Sequence, residues 1–294
     1  MSFLNYLISG VSLGSVYAII ALGYTMVYGI AKMLNFAHGD VIMVGAYVVF
    51  FATSGAGVPA IPAVLLSMVV CTVLGVVIEK VAYKPLRNAS SSLAVLITAI
   101  GVSYLLQNLA LLICGSNTKS FTSVVGIPAL HLAGGQLVIT GETLTTIVAC
   151  FVIVGCLSLF ISKTKPGQAM LAVSEDKGAA QLMGINVNGT IALTFAIGSG
   201  LAAIAGVLLC SAYPSLMPTT GSMPGIKAFV AAVFGGIGSI PGAMIGGILL
   251  GVIEIFGRAY ISSQMADAIV FAVLIVVLLV KPTGLFGKVV QEKV

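Results

Sequence analysis

Residues 226–256 read IKAFVAAVFGGIGSIPGAMIGGILLGVIEIF, an apolar run interrupted by Gly235-Gly236-Ile237-Gly238-Ser239-Ile240-Pro241-Gly242. About 20 apolar residues carry a helix across a bilayer, so the run is long enough to cross once with residues to spare. Four glycines and a proline within eight residues break a helix. Broken backbone cannot face lipid, because its peptide groups would go unpaired; it must be buried in protein or line a wet cavity. The segment therefore reads as a half-helix that enters, breaks and returns.

The rest of the chain has the same character. Of its 294 residues, 59% are hydrophobic and 7% charged, where soluble domains carry about 25% charged residues. A water-soluble globule is excluded, and long continuous apolar blocks exclude the ten-residue alternation of a transmembrane β-barrel. Apolar runs at about 6–30, 40–54, 58–79, 92–114, 143–162, 189–213, 226–256 and 266–280 make eight segments of an all-α polytopic membrane protein. Short connections leave no room for a soluble domain, so residues 1–294 read as a single transmembrane domain. Met1 to Asn5 lacks Lys and Arg, so the first run is expected to stay as the first span.

Charge sets the sidedness. Lys80, Lys84 and Arg87, then Lys163, Lys165 and Lys177, then Lys281, Lys288 and Lys293 account for nine of 13 basic residues and belong in the cytoplasm. Residues 115–142, with Lys119 alone, and the uncharged stretch 213–225 belong outside. A single crossing at 226–256 would strand the Lys-rich tail on the wrong side, which is the second reason for a return at the glycine break. The formal charge of +5 follows from this asymmetry and calls for no nucleic-acid partner.

A second interruption places Asn35, Phe36, His38, Gly39 and Asp40 between two apolar runs. Paired, Gly-interrupted segments are the best sequence pointer to a transporter's substrate route. Leu74-Gly75-Val76-Val77-Ile78-Glu79 and Leu250-Gly251-Val252-Ile253-Glu254 are similar, which fits an inverted repeat. His38 and Asp40 have two readings: a proton relay, or a helix-end pair bonded to backbone. Glu254 precedes Arg258 by four residues, the favourable order for a helical ion pair, and Glu79 with Lys80 reads as interfacial. Gly10/Gly14, Gly242/Gly246 and Gly247/Gly251 have the spacing of close helix packing. The cysteines in apolar runs, Cys71, Cys150, Cys156 and Cys210, read as small buried hydrophobes.

Catalytic chemistry finds no support. HExxH is absent, neither Gly235 to Gly242 nor Gly284-Leu285-Phe286-Gly287-Lys288 has the spacing of a nucleotide loop, and no Cys/His cluster has metal-ligand spacing. No cofactor or metal is expected. The cytoplasmic stretch Ser174-Glu175-Asp176-Lys177-Gly178-Ala179-Ala180-Gln181-Leu182-Met183-Gly184-Ile185-Asn186, within a loop at about 163–188, reads as one short helix. Ser174 would cap it, Glu175 and Asp176 would occupy its first turn, and Gly184 would close it. Such a helix suits insertion into a partner's groove; the plainer alternative is an interfacial connector.

The chain resembles the permease subunits of bacterial ABC importers for branched-chain amino acids, the LivH type. The likeness lies in Gly14-Ser15-Val16-Tyr17-Ala18, Gly23-Tyr24-Thr25-Met26-Val27-Tyr28-Gly29, Asn35-Phe36-Ala37-His38-Gly39-Asp40, Glu79 to Arg87, Glu175 to Asn186 and Gly235 to Gly247. It covers nearly the whole chain, and urea-type permeases share much of it. The resemblance implies a multi-pass inner-membrane protein that pairs with a second, homologous permease, with two cytoplasmic ATPases and with a periplasmic or lipid-anchored substrate-binding protein. It implies that leucine, isoleucine and valine pass along the breaks, with Asn35 to Asp40 and Gly235, Gly236, Gly238, Ser239 and Gly242 flanking the path. It also implies that Ser174, Glu175, Asp176, Ala179, Ala180, Gly184, Ile185 and Asn186 couple to an ATPase. A permease for urea or short amides is one alternative. A stand-alone channel or secondary transporter is the other, and its coupling-ion ligands would have to be Asp40 and Glu254.

Overall fold

A computed structural model describes residues 2–87, 92–132 and 137–287. Lys288 and Lys293, assigned above to the cytoplasm, lie outside the described residues. The helices are α1 (Ser2–Ala31), α2 (His38–Phe50, prolonged by a π-helical turn, Phe51–Gly55), α3 (Ala60–Ile78, prolonged through Glu79–Tyr83), α4 (Ser92–Cys114), α5 (Gly141–Lys163), α6 (Lys165–Glu175), α7 (Lys177–Leu182), α8 (Val187–Ala212), α9 (Ser222–Gly235), α10 (Ile240–Tyr260) and α11 (Ala266–Val280). Among the described residues seven helices are long and apolar enough to span a membrane, and α9 and α11 are shorter apolar helices.

The centre of the bundle is α1, whose residues from Val16 to Leu22 are fully enclosed. It packs antiparallel on α10 through glycines. A Cβ on Gly14 would lie 2.6 Å from the Ile248 Cα, and one on Gly251 would lie 2.2 Å from the Gly14 N. Backbones this close gain dispersion contacts that lipid, equally apolar, cannot replace. Gly23 of α1 and Gly198 of α8 approach less closely, a Cβ on Gly23 striking the His38 ring first, and a Cβ on Gly75 of α3 would strike Ser199 of α8. The outer helices α4 and α5 leave Leu112, Ile113, Phe151 and Val152 exposed along the rim. Cys71, Cys150 and Cys210 are buried as expected, whereas Cys156 faces outward on α5.

The break at the glycines is present. Gly236 and Gly238 have φ of 102° and 96°, values that side chains with a Cβ avoid, and the chain reverses there. Gly235 faces Gly242, and Gly246 faces Ala231, so α9 runs antiparallel to α10. Ser239 caps α10, its Oγ accepting from the Gly242 N–H at 3.2 Å, with Pro241 in the first turn. At 14 residues α9 is about 21 Å long, short of the ~30 Å hydrocarbon core. Its first residues lie against Gly39 within the bundle. The lead-in from Tyr213 comes down from an outer β-ribbon in which β4 (Ser215–Leu216) pairs with β1 (Lys119–Ser120). A second ribbon, β2 (Leu130–Leu132) with β3 (Leu137–Ile139), also belongs to the outer loop.

Basic groups gather at the opposite end. The Lys177 ammonium donates to the Ala31 carbonyl at 2.8 Å, and Arg87 donates to Asn188. Desolvation lowers the Lys177 pKa, helped by Arg87 and Lys32 nearby. The tail returns to the glycine corner, with the Leu285 and Phe286 N–H groups donating to the Phe234 and Gly235 carbonyls at 2.9 and 3.0 Å. The corner thus lies at the lysine-rich end of the bundle, the end the positive-inside rule assigns to the cytoplasm, and the start of α1 lies at the other end from Ala31. Impermeant thiol reagents should label cysteines placed at Lys84 and Lys177 from the cytoplasm alone and one at Asn117 from outside alone; external labelling at Lys177→Cys would reverse the topology.

Glu79 is a correction. It is 1% exposed and pairs with Arg87 instead of sitting at the interface with Lys80. Burial explains the choice, since a carboxylate out of water needs a charged donor. The similar Glu254 is likewise buried and paired with Arg258. The two similar segments thus end in buried glutamates, each paired with an arginine, at opposite ends of the bundle.

Candidate functional site

The first break begins where Lys32, at φ 58°, ends α1. The Tyr83 hydroxyl donates to Asn35 Oδ1 at 3.0 Å, and the Asn35 carbonyl accepts from the His38 N–H at 3.1 Å, so the turn is held by α3 and by the start of α2. His38 is 1% exposed and fills the space left by Gly23, its ring edge-on to Tyr24 at 4.7 Å. Its Nε2 has no hydrogen-bond partner. Phe36 packs beside Phe229 of α9, and Gly39 lets the chain pass Gly221 and Gly225.

The two breaks meet at the cytoplasmic end. Gly29 approaches Gly238, and Asn35 and Ile237 line one crevice with Tyr24, Tyr28, Met33, Leu34, Phe229 and Ala232, too tight for a water molecule. The remaining predicted residues divide. Gly235 and Gly242 hold the α9–α10 corner closed, Gly236 and Gly238 make its turn, and Ser239 caps a helix.

Asp40 lies apart, in the first turn of α2 and 1% exposed. Gln107 of α4 donates from Nε2 to Asp40 Oδ1 at 2.9 Å, with Ser103 Oγ and Ser222 Oγ each 3.3 Å from the same nitrogen. His38 and Asp40 are therefore not a relay pair: one ring packs on α1 while the carboxylate faces α4. Gln107 also lines a groove of about 320 Å³ with Tyr104, Asn108, Leu111, Ser116, Met217, Pro218 and Thr219, the size range of small-solute sites.

An ionic cluster, buried at Tyr17, Lys227 and Glu254 and partly exposed at Arg258 and Asp267, links α1, α9, α10 and α11. The Lys227 ammonium lies 2.7 Å from Glu254 Oε1 and 2.6 Å from Asp267 Oδ1, the Tyr17 hydroxyl donates to Glu254 Oε2 at 2.8 Å, and Arg258 donates to Glu254. The helical Glu254–Arg258 pair is as expected. Gln107, Ser222 and Lys227 escape the sequence reading, although a polar residue inside an apolar run is a signal in itself.

At the cytoplasmic end the single docking helix is two. Ser174 is in the last turn of α6, its hydroxyl donating back to the Leu171 carbonyl at 2.6 Å, and Glu175 ends that helix. Asp176 is the cap of α7, with Oδ1 accepting from the Gly178 and Ala179 N–H groups at 2.7 and 3.0 Å. Thr164 already caps a longer helix, its Oγ1 accepting from the Gly167 N–H at 3.1 Å with Pro166 in the first turn, so Ser174 arrives too late to start one. The other end is as expected. Gly184 has φ 82°, its N–H donates to the Gln181 carbonyl and the Ile185 N–H to the Ala180 carbonyl, the paired bonds of a Schellman close. Asn186 then caps α8 through the Gly189 N–H. Ala180 is buried, Ala179 is exposed, and Leu182 and Met183 are 90% and 82% exposed.

The family model described as the permease component of branched-chain amino acid transport systems matches residues 6–278. The high-affinity branched-chain amino acid transport permease BraD of Pseudomonas aeruginosa is 45% identical over 99% of this chain and 98% of its own length. LivH of Escherichia coli, named for the same transport, is 45% identical with the same coverage. A probable branched-chain amino acid permease of Methanocaldococcus jannaschii is 31% identical over 92% of this chain and 88% of its own.

Proposed function

Because the chain belongs to the family of permease components of branched-chain amino acid transport systems, we propose that it passes leucine, isoleucine and valine into the cytoplasm as one membrane subunit of an ABC importer. Its partners on this reading are a second, homologous permease, two cytoplasmic ATPases and an external substrate-binding protein. The observation that carries the reading is end-to-end identity of 45% to permeases named for that transport. Hydrolysis of ATP belongs to the partner subunits.

The geometry supports a route for coupling. Leu182 and Met183 present an apolar tip beyond the membrane, of the kind that fills a groove in a partner. The adjacent Lys177 holds the last carbonyl of α1, between Tyr28 and Met33, which line the crevice with Leu34, Asn35 and Ile237. A displacement of α7 by nucleotide-driven closure of the ATPases is passed directly to the end of α1 and the first break. Nucleotide and loaded binding protein then shift the populations of inward-open and outward-open states by binding them unequally. The pathway residues on this reading are Asn35, Phe36, His38, Gly39 and Asp40, with Gly235, Gly236, Gly238, Ser239 and Gly242 supporting the corner beside them. Ser174, Glu175, Asp176, Ala179, Ala180, Gly184, Ile185 and Asn186 shape the coupling unit.

Labelled leucine should accumulate in vesicles holding the reconstituted importer only with internal ATP and external binding protein; uptake of urea in its place, or uptake without ATP, would overturn the reading. Gly184→Val forces a branched side chain into a left-handed position, at a cost of about 1–2 kcal/mol, and misplaces Leu182 and Met183. Assembly should survive while leucine uptake and binding-protein-stimulated ATP hydrolysis fall together, by roughly the tenfold that such a cost represents. Normal coupling in Gly184→Val would make α6 and α7 a mere connector.

A further inference from the structure

Among the described residues three acidic side chains are buried: Asp40, Glu79 and Glu254. Glu79 is matched by Arg87, and Glu254 by Lys227 and Arg258. Asp40 has no cation. Oδ1 receives the Gln107 amide at 2.9 Å, the neighbouring Ser103 hydroxyl also bonds to the carboxylate, and Oδ2, equally enclosed, has no partner. An ionised carboxylate can accept about four hydrogen bonds, and one buried without a counter-charge is costly at membrane depth, where ionisable groups mark substrate paths. Gln107 separates this carboxylate from the 320 Å³ groove and lines both.

We propose that Asp40 is the recognition site for the α-ammonium group of the transported amino acid, with the Gln107 amide holding the carboxylate until cargo displaces it from the groove side. The inference rests on the reading that the chain carries amino acids. An ammonium group supplies three donors and a full charge where the amide supplies one neutral N–H. The displaced amide has acceptors ready, since Ser103 Oγ and Ser222 Oγ are each 3.3 Å from its nitrogen. That exchange sets the depth of the site. A bare buried carboxylate would hold a cation too tightly for transport, and the competing amide offsets part of the attraction. Leu111, Met217 and Pro218 line the groove as apolar walls for a branched side chain, and Ser116 and Thr219 place hydroxyls there for the carboxylate end.

The alternative role for the pair is a structural tie between α2 and α4, and the two roles predict opposite results. Asp40→Asn keeps an oxygen to accept from Gln107 but removes the charge; Gln107→Ala removes the tie but bares the carboxylate. Equilibrium binding of labelled leucine to the purified permease–ATPase complex, without binding protein, should weaken about tenfold or more in Asp40→Asn. It should tighten about tenfold in Gln107→Ala, the worth of one hydrogen bond to a charged group removed from the competition. Asp40→Asn, which removes an unpaired buried charge, should unfold at or above the wild-type temperature, and Gln107→Ala, which leaves that charge without its amide donor, below it. If Gln107→Ala does not assemble, Gln107→Met fills the volume without a donor and carries the same expectation. Wild-type binding in Asp40→Asn, or weakened binding in the Gln107 variant, overturns the proposal, as does a wild-type complex that binds no leucine. The transport reading stands or falls separately, on leucine uptake by the wild-type importer with its binding protein.

Discussion

Glu254→Ala should abolish accumulation of the folded permease, a larger effect than loss of any residue in the breaks. The Glu254 carboxylate is fully enclosed and bonded by Lys227, Arg258 and Tyr17, and with Asp267 these side chains sum to zero charge. Without it the cluster becomes positive, Lys227 keeps only Asp267, and the buried Tyr17 hydroxyl loses its acceptor. Removing one partner of a buried charge pair costs about 3–5 kcal/mol, a large part of the ~5–15 kcal/mol that keeps a domain folded. Lys227→Met should be milder. It leaves Glu254 with Arg258 and Tyr17, and the Asp267 side chain, 46% exposed, turns to water. Protein recovered in membranes and the unfolding temperature in detergent measure both; equal stability of Glu254→Ala and wild type would show that the cluster does not hold α9, α10 and α11 together.

Gly251→Val should separate the two most closely packed helices. A Cβ there meets the Gly14 N and Cα at 2.2 and 2.3 Å and the Gly10 carbonyl at 2.7 Å. All three are backbone atoms, which cannot swing aside, so α1 and α10 must move apart along the seam. Overpacking of this kind costs about 1–3 kcal/mol even where side chains can adjust, and more where backbone is struck. At Gly101 of α4 and Gly155 of α5 an added methyl group would meet nothing within 4 Å. Alanine at either should leave stability unchanged or raise it by up to about 1 kcal/mol. A Gly251→Val protein as stable as Gly155→Ala would mean that α1 and α10 are not in contact in the membrane.

Much of this architecture is legible in the chain itself. The apolar runs give α1 to α5, α8 and α11 to within a few residues, because a helix satisfies its own peptide groups and a membrane admits little else. The corner at Gly235–Gly242 is legible for the same reason, since four glycines and a proline cannot continue a helix, and the distribution of lysines orients it. The close of α7 at Gly184 is a local effect, which a short stretch of sequence can specify. The start of that unit is harder to read because Ser174, Glu175 and Asp176 all suit a helix N-terminus, and only the earlier cap at Thr164 settles which of them is free to serve.

Helices, breaks and sidedness are therefore written locally in the chain, because each of them follows from the bilayer as solvent. Which groups meet across helices is settled by packing in three dimensions. Asp40 with Gln107, Lys227 with Glu254 and Tyr83 with Asn35 are separated by 67, 27 and 48 positions, and nothing local announces them. The physical reason is that helices such as α1 and α8 are apolar on every side. In water an amphipathic stripe tells which face is buried; in lipid, as apolar as the protein interior, that stripe is missing, and close packing at glycines together with the need to pair each buried polar group selects the faces instead.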